Sequence, residues 1–143
     1  TRTHSHSLYL QHNLMLTSLS GCRLVDGRRF TERDQFLDHI AFADVLIDET
    51  YNARTAQDFF DWTGLNGSSP YPFIQNTNVW RLDGLLSPAH SDDWFESSFL
   101  EPDVVLEDFL HAVFPGYQPW HRPTWFRAVL RDQPPRVVTS ASC

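Results

Sequence analysis

Residues 102–115 read Pro-Asp-Val-Val-Leu-Glu-Asp-Phe-Leu-His-Ala-Val-Phe-Pro, and this spelling predicts a helix with a single apolar side. Pro102 suits the first helical position, where its missing N–H costs nothing and its φ is already helical. Glu101 and Asp103 place negative charge at the positive end of the helix dipole. Val105, Leu106, Phe109, Leu110 and Val113 recur at helical spacing as a narrow apolar stripe. Glu107, Asp108 and His111 fall off that stripe, and Pro115-Gly116 stops the helix. A helix so one-sided needs a surface to cover.

The preceding chain supplies one. Thr31 is placed to cap a helix, with Asp34 three residues on and Phe30 as a staple. Phe36, Leu37, Ile40 and Ala41 form its apolar face, with His39 at the boundary. Val45-Leu46-Ile47, bounded by Asp44 and Asp48, reads as a short buried strand of a parallel sheet. Thr55 and Asp58 can cap the next helix, whose bulky residues are Phe59, Phe60 and Trp62 and whose end is Gly64. Asn66 to Pro70 is a loop. Phe73-Ile74-Gln75 and Val79 to Leu82 read as two short strands, followed by a turn at Asp83-Gly84. Leu85 to Asp92 is irregular, and Ser91 is a candidate cap for a short helix through Trp94 and Phe95. Residues 117–131, rich in Pro, Trp and Arg, are expected to wrap over the body, and the end of the chain from 132 is expected to be disordered. The order predicts an α/β fold: a three-layer α/β/α unit around a small, mainly parallel sheet.

Composition narrows the functional classes. A chain of 143 residues holds one real core. The net charge of −7 argues against nucleic acid as a partner, because phosphate binding needs clustered cations. All 11 basic residues are Arg, which reflects either coding bias or chemistry that Lys cannot supply. Cys22 and Cys143 are too far apart to suggest a disulfide framework or a metal site. No run approaches the roughly 20 apolar residues of a membrane span, and the start lacks the pattern of a signal peptide. The first residue is Thr1, as expected for a piece of a longer protein. His4, His6 and His12 read either as a metal-holding strand or as a polar terminus.

Three phrases in order then resemble one family. They are Ala43-Asp44-Val45-Leu46-Ile47-Asp48-Glu49-Thr50-Tyr51, Asn78-Val79-Trp80-Arg81-Leu82-Asp83-Gly84, and Asp93-Trp94-Phe95-Glu96 followed by Pro102-Asp103 and the helix to Pro115. Together they resemble the C-terminal lobe of class III periplasmic solute-binding proteins, the helix-hinged binders that feed ABC importers. The likeness covers residues 30–116. Residues 1–29 match poorly, and residues 117–143 form an aromatic, Pro-rich tail. It implies a missing N-terminal lobe, an extracytoplasmic location and a metal chelate as ligand: an iron–siderophore, haem or a corrinoid. It further implies Glu49, Thr50, Tyr51 and Trp94 as ligand-binding residues, and Glu96 as a docking residue for an ABC permease. No cofactor or resident metal is implied. The plainer reading makes Tyr51 and Trp94 packing residues, and Asp48 and Glu49 a solvated strand end.

Two other classes compete. Asp48 and Glu49 with His39 or His90 could act as general acid and base, but no nucleophile elbow, phosphate-cradling loop or zinc signature accompanies them. No catalytic residue is therefore assigned. Alternatively, Tyr117, Trp120, Trp125 and Phe126 could present a protein-interaction surface on a lobe that has lost solute binding.

Overall fold

The computed structural model describes residues 32–50 and 54–139. The elements in order are α1 (Arg33–His39), β1 (Leu46–Asp48), α2 (Ala56–Thr63), α3 (Pro72–Gln75), β2 (Val79–Arg81), β3 (Leu85–Leu86), α4 (Trp94–Ser97), α5 (Pro102–Val113), β4 (Arg127–Ala128) and β5 (Arg136–Val137). Short 3₁₀ turns follow α4 and β4.

The local signals act largely as the sequence predicts. Thr55 and Asp58 form a reciprocal capping box at the start of α2, and Gly64 closes that helix in the left-handed conformation with φ 70°. Pro102 opens α5, whose last turn is closed by Phe114 N–H donating to the Leu110 carbonyl at 2.7 Å. At α1 the cap is Glu32, which offers no side-chain hydrogen bond; Thr31 lies outside the described residues. At α4 the cap is Asp93 in place of Ser91.

One predicted strand is a helix. Phe73-Ile74-Gln75 belongs to α3, with Pro72 in its first turn. Phe73 and Ile74 are both buried in one apolar cluster. A strand would send two consecutive side chains to opposite faces, whereas a helical turn keeps both on one broad side.

The main sheet has the order β1-β2-β4. β1 and β2 are parallel, with Asp48 beside Arg81 in register; β2 and β4 are antiparallel, with Arg81 beside Arg127. A second, two-stranded ladder pairs β3 with β5 in parallel. Alternation along β2 divides the core. Val79 joins Leu37, Ile40, Leu46, Phe59, Phe73, Ile74 and Val129 on the side of α1, α2 and α3. Trp80 joins Val105, Phe109, Ala112, Trp125, Phe126 and Ala128 on the side of α5. The fold is thus α/β, with helices on both faces of a small sheet.

The segment after α5 completes that sheet. It supplies β4 and the deeply buried Trp125 and Phe126, so it packs over the body as part of the core. β5 pairs Arg136 and Val137 with β3, which places order where the sequence predicts disorder. The reason is long-range: backbone groups near the chain end find partners on a strand some fifty residues earlier, and no local signal announces this. No helix among the described residues is long and apolar enough to cross a membrane.

Candidate functional site

The carboxyl end of β1, where open α/β sheets usually meet ligands, is built around a buried set of charges. Asp48 is not a solvated strand end; it is 4% exposed. Its Oδ2 accepts from Arg81 Nη1, and its Oδ1 accepts from both the backbone N–H and the hydroxyl of Thr50. Arg81 also donates from Nη2 to the Thr50 carbonyl and from Nε to Asp83 Oδ2, the latter at 3.3 Å. Arg127 grips Asp83 with two parallel bonds, Nε to Oδ1 at 2.8 Å and Nη2 to Oδ2 at 2.7 Å. Its remaining donors reach the carbonyls of Arg54 and Gln133. Arg54 in turn contacts Asp92 and lies 3.6 Å from Asp83.

Three aspartates and three arginines therefore form one neutral chain of charge. It ties β1, β2 and β4 to the loop before α4. Buried ions persist only when paired and hydrogen-bonded, and the planar five-donor guanidinium satisfies several acceptors at once where Lys could not. Sequence reasoning missed Arg81, Asp83 and Arg127. The available hint was the all-Arg composition.

The residues expected to bind ligand fare differently from one another. Thr50 is consumed internally by Asp48 and Arg81. Glu49 is exposed as a whole residue at the same strand end, while desolvation of its carboxyl by the surrounding protein, and secondarily the charge of Asp48, pushes its pKa up to about 7. Tyr51 lies outside the described residues, as do His4, His6 and His12. Trp94 packs edge-on against Trp125 and Phe126, with ring centres 6.3 and 6.0 Å away, so much of its surface serves the core. Glu96 is exposed on α4. The Arg54–Asp92 contact brings the loop before α4 to the strand-end network. His90 is exposed, and its carbonyl is bound by Arg54 Nη2 at 3.3 Å.

A second polar centre lies on α5. Asp108, off the predicted apolar stripe, is 0% exposed. Its carboxylate accepts the backbone N–H groups of Thr124 (2.9 Å), Trp125 (2.7 Å) and Phe126 (3.2 Å). His121 Nε2 stands 2.7 Å from its other oxygen. Beyond this clamp, a cavity of about 410 Å³ opens between the C-terminal end of α5 and residues 121–136. None of Glu49, Thr50, Trp94 and Glu96 lines it. No group of three or more metal-ligating side chains occurs among the described residues.

No protein-family model, curated protein or solved structure matches this chain.

Proposed function

We propose that this chain is a solute-binding lobe, working outside the cytoplasm with a second lobe, that takes a metal chelate for ABC-type uptake. The observation that supports this reading most is Glu49 at the carboxyl end of β1. Its carboxyl is poised near neutrality by desolvation beside a strand end fixed by Asp48 and Arg81. Such an end is where open α/β sheets meet ligands, and a perturbed acid there fits a recognition role. Glu49 would meet a donor group or cationic edge of the chelate, Tyr51 would stack on its flat part, and the exposed side of Trp94 would border it. Glu96 would dock the permease.

The test is titration of the chain with haemin, cyanocobalamin and a ferric hydroxamate chelate, followed by absorbance and tryptophan fluorescence. Saturable binding of one of them, weakened in Glu49→Gln, is expected. Failure of all three, or binding indifferent to Glu49→Gln, overturns the proposal.

A second reading, an interaction module without solute binding, draws on a different observation. Phe95, Phe99 and Leu100 are 76%, 67% and 69% exposed within six residues of chain, and apolar clusters of this kind mark contact surfaces. Of the aromatic residues the sequence offered for this role, Tyr117 and Trp120 are exposed, whereas Trp125 and Phe126 are core residues. Under this reading the chelates do not bind, and sedimentation velocity shows association that Phe99→Ser abolishes.

A further inference from the structure

The cavity beside α5 has a charge composition that the rest of the chain does not. Its walls include Arg122, Arg131, Arg136, His111 and His121, with Arg127 at the inner wall, and no Asp or Glu lines it. This occurs in a chain whose net charge is −7. Arg127 is neutralised by Asp83. Arg122, Arg131 and Arg136 enter no ion pair among the described residues, unlike Arg54, Arg81 and Arg127. Three exposed arginines thus line one concavity, none of them paired with a carboxylate among the described residues; the nearby acids, Glu107 and Asp108, face His121 at 3.7 and 2.7 Å.

Two of the three are also held in place. Arg131 Nε donates to Thr77 Oγ1 at 3.2 Å, and its guanidinium lies 5.5 Å from the centre of the Trp80 ring. Arg136 Nη2 donates to the carbonyls of Pro123 and Thr124, both at 3.2 Å. Each keeps further N–H donors unspent, since a guanidinium carries five. His121 is anchored by Asp108 at 2.7 Å, and its ring centre is 5.7 Å from that of His111. Donors fixed before binding lose little entropy when a ligand arrives. The planar fork matches carboxylate and phosphate oxygens two at a time. The volume is that of a small-molecule site.

We infer that this cavity is a binding site for a small oxyanion carrying two or more carboxylate or phosphate groups, recognised by Arg122, Arg131 and Arg136. The site contains none of Glu49, Thr50, Trp94 and Glu96 and stands or falls independently of the chelate reading.

The test is calorimetric titration of the chain with citrate and with inorganic pyrophosphate at fixed ionic strength, using sodium chloride as the blank. It is paired with arginine Nε–Hε NMR of the wild type. One or both anions are expected to bind and to move the signals of Arg122, Arg131 and Arg136. Each guanidinium removed should weaken binding about tenfold, the usual worth of a charge-assisted hydrogen bond. R122A/R131A/R136A should therefore abolish it, while Arg33→Ala leaves it intact. Citrate alone binding assigns a carboxylate ligand; pyrophosphate alone assigns a phosphate. No heat and no shift in the wild type up to about ten millimolar, a weak-site limit on the affinity scale, overturns the inference. So does binding that survives the triple variant. The NMR arm on the wild type keeps the test decisive even if the variant folds poorly.

Discussion

Asp108 on α5 holds the backbone of Trp125, 17 residues further on, through a bond of 2.7 Å from the Trp125 N–H to Oδ2. The same carboxylate takes the N–H groups of Thr124 and Phe126. It thereby turns an irregular crossing segment into the entry to β4. Three backbone donors that would otherwise be buried without partners are satisfied by one side chain.

Replacing Asp108 with Ala should therefore cost about 3–5 kcal/mol, the range for stranding buried polar groups in a network. Asp108→Asn, which keeps one acceptor oxygen, should cost less. Urea denaturation should show a lower midpoint at an unchanged slope; equal losses for both variants would refute the clamp.

Asp83 and Arg127 are a second long-range pair, joined by two bonds of 2.7 and 2.8 Å. Breaking it from either side, with Asp83→Ala or Arg127→Met, should cost about 3–5 kcal/mol because an unpaired buried charge remains. Removing both should cost clearly less than the sum. Additive losses in a double-mutant cycle would show that the pair is not coupled.

Gly84 lies against the backbone of the crossing segment, and a Cβ there would sit 2.7 Å from the Trp125 carbonyl oxygen and 2.9 Å from that of Thr124. Its own N–H donates to the Trp125 carbonyl at 2.7 Å. Gly84→Ala should destabilise the fold by about 1–3 kcal/mol through overpacking. A thermal midpoint equal to that of wild type would show that this backbone yields freely.

Glu49 gives a pH signature. Its carboxyl pKa is raised from 4.5 to about 7, so the folded state binds the proton more tightly than the unfolded chain. The stability this contributes is fully present below pH 4.5 and is lost as pH rises towards 7. Glu49→Gln, which cannot ionise, should gain on wild type across that window and hold a constant lead above it. Parallel melting-temperature profiles for the two proteins would contradict the assignment.

Local chemistry written in the sequence decided much of the architecture. The capping box of Thr55 and Asp58, Gly64 in the left-handed conformation and Pro102 at the head of α5 act within one or two turns of chain, so spacing alone reveals them. The apolar runs around Leu46 and Val79 likewise announce the two strands that pair in parallel. What only the tertiary structure decided is where the charges went. Asp48 meets Arg81 across 33 positions, and Asp83 meets Arg127 across 44. Asp108, on a helix position that periodicity assigns to solvent, is buried because a later segment crosses over it. Helical and strand periodicity report which face of an element is apolar. They carry no information about a distant segment that brings backbone donors to a polar face. The exclusive use of Arg is compatible with those pairings, since a planar guanidinium with five donors serves several buried acceptors at once.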